Sequence, residues 1–300
     1  MAFGVTMISI EESDEEKAMR VSTIESMERR ILVVPDVHGR TFWKKPVLKY
    51  KDKVDRIVFL GDYLDPYRDE GVEYDTEGIL DNLMEIIELK QKNKDKVILL
   101  KGNHDQHYYS RKFNKLAGGT RQDKLRWENY HELFHQYKSL FQLAHLERGN
   151  NTPYLFSHAG VTVYWLNKVN TRLWGLADNE LSVVNQDIVD RINLLDDDGL
   201  GQELLAVIGQ SRSWYGGEKT GGILWADIED HPSILVPTAY GLNRVFQVFG
   251  HSRMRYDSND MISFGNYAMI DSMQCFMIDE SISQTIISIH KYEEISKEAE

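Results

Sequence analysis

The sequence predicts an α/β fold on three observations. Three short apolar runs rich in β-branched residues, at positions 31–35, 55–60 and 96–100, have the composition of strands that are covered on both faces. Between the second and third runs, residues 77–92 carry apolar side chains at helical spacing. Each run is followed directly by a polar turn that contains glycine. A strand, a helix and a strand at this spacing predict a βαβ crossover and a parallel sheet.

The remaining elements follow in chain order. Residues 122–146 are predicted to be mostly helical, and a mixed stretch extends to about residue 221. Further strands are predicted at 154–157, 245–249, 261–270, 273–278 and 284–290. The charge-rich residues 1–30 are predicted to form an N-terminal extension. Residues 31–300 are predicted to form a single domain, because no low-complexity linker or internal repeat interrupts them.

Composition restricts the partners and the compartment. The formal net charge of −12 argues against a long nucleic acid or an anionic membrane as partner. The single cysteine, Cys275, excludes an internal disulfide and a multi-cysteine zinc site. No apolar run approaches the ~20 residues that cross a bilayer, and the acidic N-terminus does not resemble a signal peptide. We therefore predict a cytoplasmic protein without a membrane partner; the sequence does not indicate its oligomeric state.

Five polar clusters follow predicted strands. They read DVHG at 36–39, GDYLD at 61–65, GNHD at 102–105, SHAG at 157–160 and GHS at 250–252. In open α/β sheets, ligands bind at the carboxyl ends of the strands. Carboxylate, carboxamide and imidazole groups suit Mn, Fe or Zn ions. One carboxylate can bridge two cations ~3.5–4 Å apart, and such a pair promotes in-line phosphoryl transfer. The clusters therefore predict two divalent or trivalent metal ions.

The ordered set of clusters resembles the calcineurin-like metallophosphoesterases. It is most similar to the branch that holds the serine/threonine phosphoprotein phosphatases and the related bacterial phosphatases and diadenosine tetraphosphate hydrolases. The resemblance covers about residues 31–280. It implies a four-layer α/β/β/α sandwich with a dinuclear metal site at the carboxyl-terminal edge of the strands.

The resemblance also implies a role for each matched residue. The first metal would be bound by Asp36 and His38, with Asp62 as the bridge; the second would be bound by Asn103, His158 and His251. A hydroxide that bridges the metals would attack phosphorus in line. His104 would protonate the leaving group, while Asp65 would orient His104 and keep it protonated. Asn103 would also contact the substrate phosphate.

Two positions depart from the pattern of the family. An arginine that contacts phosphate usually follows the aspartate at position 65, but here Pro66 follows it, and Arg68 lies two residues further on. The last motif reads Gly-His-Ser rather than Gly-His-x-His, a difference that the phosphoprotein phosphatase branch shares. Residues 221–227 resemble the Leu-Trp-x-Asp stretch of that branch. Arg212 lies upstream, where an arginine of that branch clamps phosphate, and a guanidinium suits paired phosphate oxygens.

The predicted function is that of a phosphomonoesterase of the serine/threonine protein phosphatase type. The alternatives are a dinucleoside polyphosphate hydrolase or another nucleotide phosphodiesterase, and a non-catalytic binding protein on the same scaffold. A fourth interpretation comes from HELFH at 131–135, which matches the zinc peptidase motif. However, His131 and His135 lie off the apolar face of their predicted helix, and Lys138 and Phe141 stand where a metzincin needs glycine and histidine. We expect neither histidine to be required for metal binding.

Overall fold

A computed structural model describes residues 29–67, 76–117, 121–177, 180, 184–197, 199–213, 216–231, 236–252, 261–282 and 286–298. The strands are β1 (Arg30–Val34), β2 (Arg56–Phe59), β3 (Val97–Leu100), β4 (Phe141–Gln142), β5 (Ala144–Glu147), β6 (Tyr154–Ser157), β7 (Phe246–Phe249), β8 (Ile262–Phe264), β9 (Tyr267–Met269), β10 (Phe276–Asp279) and β11 (Ile287–Ser288). The α-helices are α1 (Lys44–Tyr50), α2 (Thr76–Lys92), α3 (Asn103–Tyr109), α4 (Arg111–Ala117), α5 (Trp127–Gln136), α6 (Val163–Val169), α7 (Gln186–Asn193), α8 (Gly199–Leu205), α9 (Val236–Ala239) and α10 (Ile289–Glu298).

The strands form two sheets. Sheet A has the order β11-β10-β1-β2-β3-β4, and sheet B has the order β5-β6-β7-β9-β8. Strands β1 to β4 are parallel, as are β6, β7 and β9. The carboxyl ends of these parallel strands therefore carry the polar clusters that the sequence places after them.

The two sheets pack face to face between two helical layers. Strand β1 shows the arrangement, because Ile31 and Val33 face sheet B whereas Leu32 and Val34 face the helices. Helices α1, α2, α5 and α10 cover the outer face of sheet A, and α6 to α9 cover that of sheet B. Each fully buried branched side chain contributes roughly 1.5–3 kcal/mol to this packing. The predicted four-layer α/β/β/α sandwich is confirmed.

The predicted strands of the βαβ unit and the helix between them agree with the structure to within one or two residues. The prediction of a mostly helical segment at 122–146 agrees with α5 and with a 3-10 turn at Lys138–Leu140, but it is wrong at 122–126 and from Phe141 onward. There β4 pairs with β3 and β5 pairs with β6, so sheet pairing outweighs the helix propensity of leucine, alanine and glutamate.

Two of the later strand predictions are also wrong in part. The predicted strand at 261–270 is a hairpin of β8 and β9, in which Phe264 pairs with Tyr267 across a turn where Gly265 has φ +57°. The predicted strand at 284–290 gives way to α10 at Ile289, whose apolar residues at three-residue spacing pack on the core. Within the described residues, no helix combines the length and the apolar composition needed to cross a bilayer.

Candidate metal centre

All six residues predicted to bind metal lie together at one edge of the sandwich, and all six are buried. Sheet A supplies those that follow β1, β2 and β3, and sheet B supplies those that follow β6 and β7. The set is Asp36, His38, Asp62, Asn103, His158 and His251.

Asp62 lies at the centre of this cluster. It belongs to two groups whose ligand atoms all lie within 4.8 Å of one another, one with Asp36 and His38 and one with His158 and His251. Its Oδ2 atom is 3.5 Å from His38 Nε2 and 3.6 Å from His158 Nε2. A carboxylate shared between two ligand groups has the arrangement that two neighbouring cations require.

Hydrogen bonds set the orientation of the imidazoles. His38 Nδ1 lies 3.0 Å from the carbonyl oxygen of Leu64, and His158 Nδ1 lies 2.9 Å from that of Leu60. Because a carbonyl only accepts, both Nδ1 atoms carry the proton and both Nε2 atoms present a lone pair to the cluster. Nε2 of His158 also lies 3.0 Å from Asn103 Oδ1 and 3.0 Å from His251 Nδ1. His251 Nε2 is buried without a hydrogen-bond partner among the described residues.

Burial and neighbouring charges determine the protonation of the cluster. Burial lowers the pKa of His158, and burial together with other cationic groups holds the pKa of His38 and His251 well below the usual value. Neutral imidazole is the form that binds metal. Burial and then the charge of Asp36 raise the pKa of Asp62 well above its usual value. A cation would relieve this accumulation of negative charge, so the donor set fits the metal ions that the sequence predicts.

The backbone bends sharply at these positions. Four non-glycine residues of the site have a positive φ, namely His38 at 46°, Asp62 at 51°, Asp65 at 57° and His251 at 70°. Non-glycine residues rarely adopt a positive φ, so surrounding contacts must hold the backbone in this conformation. Asp105 supplies some of these contacts, because its carboxylate accepts hydrogen bonds from the N–H groups of Asp62 at 2.7 Å, Tyr63 at 2.9 Å and Gly102 at 2.8 Å.

His104 and Asp65, the predicted catalytic pair, are in contact beside the cluster. His104 Nδ1 donates to Asp65 Oδ2 at 2.9 Å, and both side chains are buried. The ring of His104 lies 5.2 Å from that of His38, edge to face. The imidazole therefore faces the metal cluster while the carboxylate fixes it from behind.

Arg212 lies beside His251 of the cluster. Its Nε donates to Asp227 Oδ2 at 2.5 Å, and its Nη2 lies 3.3 Å from the carbonyl oxygen of His251. Burial works to lower the pKa of Arg212, but the charge and the hydrogen bond of Asp227, together with Tyr67 and Asp271, raise it overall. The guanidinium is therefore a fixed cation beside the cluster. Arg68 and Arg253 lie outside the described residues.

Two residues of the site were not predicted from the sequence to have a role. Asp105 fixes the backbone at Asp62. Burial raises the pKa of Asp105 to about 7, although the hydrogen bonds from its three N–H donors lower it. Tyr108 donates its hydroxyl to Asp65 Oδ1 at 2.5 Å. Asp105 belongs to the GNHD cluster, so its position gave a signal. For Tyr108 the only signal in the sequence was its spacing of four residues from His104, which places both on one face of a helix.

His131 of the HELFH segment and Trp127, one turn earlier in α5, support helix α3. His131 Nδ1 donates to the carbonyl oxygen of Tyr108 at 2.7 Å, and Trp127 Nε1 donates to that of His107 at 3.2 Å. These carbonyls lie in the last turn of α3, where a helix leaves them unpaired. Within the described ranges, groups of three or more ligands close enough to hold a metal occur only at the strand edge.

The fold and the site define a metallophosphoesterase. The family model described as calcineurin-like phosphoesterase matches residues 29–252. The chain therefore belongs to the calcineurin-like phosphoesterase family, and it is a hydrolytic phosphoesterase.

Two solved structures are similar to the chain, and the first of them supports the fold. The chain is similar to a protein serine/threonine phosphatase from Saccharomyces cerevisiae, with a TM-score of 0.50 and 17% identity over 88% of this chain and 80% of that chain. It also resembles a metallophosphoesterase from Sphaerobacter thermophilus, with a TM-score of 0.38 and 13% identity over 87% of this chain and 88% of that one. No curated protein matches the sequence.

Proposed function

We propose that the protein is a metal-dependent phosphomonoesterase of the serine/threonine protein phosphatase type. One observation carries the proposal, namely that the buried carboxylate of Asp62 is shared by two ligand groups within reach of the His104–Asp65 pair. This combination provides both parts of phosphoester hydrolysis, a place for two cations and a proton donor.

In this proposal the ligands fall into two sets. Asp36, His38 and Asp62 would hold one ion, and Asp62, Asn103, His158 and His251 the other, with Mn, Fe or Zn as candidates. When bound, such ions lower the pKa of water and neutralise phosphoryl oxygens. The closeness of the ligands in the structure supports this division.

The remaining residues would bind and orient the substrate. Arg212, held by Asp227, would bind two oxygens of the phosphoryl group, and the amide of Asn103 would donate to a third. His104 would give its proton to the leaving oxygen while Asp65 fixes the imidazole through Nδ1. Positioned charges of this kind stabilise the charge on the phosphoryl oxygens in the transition state.

The substrate class rests on residues around Arg212. The Leu-Trp-x-Asp stretch that resembles phosphoprotein phosphatases places Asp227 against Arg212 and the ring of Trp225 5.8 Å from that of His251. This pairing of guanidinium and carboxylate beside the metal cluster supports a phosphorylated serine or threonine as substrate. A reducing, cytoplasmic location is part of the proposal, because Cys275 is a buried free thiol.

A substrate panel on metal-reconstituted protein tests the proposal. The panel contains phosphoserine and phosphothreonine peptides, diadenosine tetraphosphate, nucleotides and bis-p-nitrophenyl phosphate, each with Mn, Fe and Zn. We expect the highest kcat/KM for the phosphopeptides. A preference for diadenosine tetraphosphate or for a diester would overturn the substrate assignment. Absence of turnover with every member of the panel would overturn the proposal that the protein is a phosphomonoesterase.

A further inference from the structure

We propose that the hydroxyl of Tyr108 positions the general acid, His104, by fixing the carboxylate of Asp65. The inference rests on the proposed function in one respect, namely that His104 protonates the leaving group. Tyr108 would not contact the substrate, so it is a positioning residue rather than a catalytic one.

The three side chains form a continuous buried chain. His104 and Tyr108 lie four residues apart on α3 and therefore on the same face of the helix. Asp65 lies between them, with Oδ2 2.9 Å from His104 Nδ1 and Oδ1 2.5 Å from Tyr108 Oη. Tyr108 is fully buried, and Asp65 and His104 are nearly so. In this environment water does not compete for the carboxylate.

The direction of each hydrogen bond is fixed. The backbone N–H of Asp123 donates to Tyr108 Oη at 2.7 Å, so the single hydroxyl proton of Tyr108 points to Asp65. Burial, and then the charge of Asp65, raise the pKa of Tyr108, so the phenol stays protonated and remains a donor. The carboxylate thus receives one proton donor on each oxygen.

The backbone at Asp65 is fixed separately from its carboxylate. Its φ is 57°, and Arg121 Nη2 donates to its carbonyl oxygen at 3.0 Å. Arg121 fixes the backbone but leaves the side-chain torsions free. Without the Tyr108 hydroxyl, Oδ1 would be a buried acceptor with no donor from that side, and the carboxylate would rotate away from His104.

The chemical consequence falls on the leaving group alone. As hydroxide forms its bond to phosphorus and the bond to the ester oxygen breaks, that oxygen would receive the proton of His104, and the neutral imidazole would regain a proton from solvent before the next turnover. A poor leaving group such as phenoxide or the serine alkoxide needs this proton, whereas the 2,4-dinitrophenoxide ion leaves without it. A misplaced His104 therefore slows the first kind of substrate and spares the second.

The test compares Tyr108→Phe with Tyr154→Phe in the full-length, metal-loaded enzyme. Tyr154 is also buried and donates its hydroxyl to a carboxylate, Glu280 Oε1 at 3.1 Å, but it lies on β6, away from the catalytic pair. Both variants lose one hydroxyl-to-carboxylate bond, so we expect similar falls in thermal midpoint and unchanged bound metal per chain. The substrates are phenyl phosphate and 2,4-dinitrophenyl phosphate.

We expect Tyr108→Phe to lower kcat for phenyl phosphate about tenfold and to leave kcat for 2,4-dinitrophenyl phosphate almost unchanged, whereas Tyr154→Phe alters neither. In a His104→Gln background, adding Tyr108→Phe should change nothing further. Equal losses on both substrates, or a full additional loss in the His104→Gln background, would overturn the inference. If the wild-type enzyme hydrolyses neither ester, the proposed function itself fails.

Discussion

The close contact between Gly102 and Asp62 leads to a prediction in which no polar group is removed. A Cβ atom at position 102 would lie 2.0 Å from Asp62 Oδ1 and 2.7 Å from the backbone nitrogen of Asp62. Gly102 itself has φ −94°, a value open to any residue, so space alone excludes a side chain there. The substitution Gly102→Ala therefore displaces the carboxylate at the centre of the two ligand groups.

The size of the effect follows from the distances. The contact must lengthen from 2.0 Å to at least 3.4 Å before it becomes an ordinary van der Waals contact. A displacement of about 1 Å at a catalytic group can reduce the rate ~100-fold. We therefore expect kcat/KM for p-nitrophenyl phosphate to fall by about 10²-fold and bound metal to decrease, with a cost in stability of roughly 1–3 kcal/mol from overpacking.

A matched control is available in the same chain. At Gly199 an added Cβ would meet only Lys112 Nζ, at 3.7 Å, so Gly199→Ala should leave activity and metal content unchanged. The assay measures kcat/KM and, by elemental analysis, metal per chain for both variants under saturating Mn. If Gly102→Ala matches Gly199→Ala in both quantities, then Asp62 is not fixed where the reasoning requires it.

Three further predictions concern side chains that bind, support or titrate. Asn103→Ala and His251→Ala should each lose one of two metals per chain and most turnover; retention of both metals and of wild-type turnover would refute the ligand assignment. His131→Ala should lower the free energy of unfolding by about 1 kcal/mol, because it removes the donor to the Tyr108 carbonyl at 2.7 Å, whereas His135→Ala should lower it by less. Both variants should keep their bound metal and their activity. Loss of metal in either variant would revive the peptidase interpretation. Burial lowers the pKa of His107 to about 4, so the unfolded chain binds a proton near pH 6.5 while the folded chain does not. The free energy of unfolding should fall between pH 6.5 and 4 by up to ~1.4 kcal/mol per pH unit from this group, and a slope that His107→Gln leaves unchanged would contradict that source.

The fold could be predicted wherever local pattern and tertiary context agree. The buried strands and helix α2 carry their own periodicity, and the polar clusters follow directly at the strand ends. Segments whose conformation depends on a distant partner could not be predicted in this way. Residues 141–147 favour a helix by composition but form β4 and β5 because β3 and β6 offer edges for pairing.

The same distinction applies to the site. Strand ends place Asp62 and His251 in one cluster, and the order of the motifs suffices to anticipate that. No sequence signal indicates that the hydroxyl of Tyr108 meets Asp65, or that His131 donates to a carbonyl of α3. The first contact depends on how α3 packs against the loop after β2, and the second on how α5 packs across α3; a one-dimensional pattern contains neither.

The central claim is that catalysis requires two metal ions around Asp62, and a metal titration tests it most directly. Chelated protein is titrated with Mn, and bound metal per chain and hydrolysis of a phosphoserine peptide are measured on the same samples. The account predicts no turnover without metal and a rise to full turnover as occupancy reaches two ions per chain. Full turnover at one ion per chain or at none would contradict it.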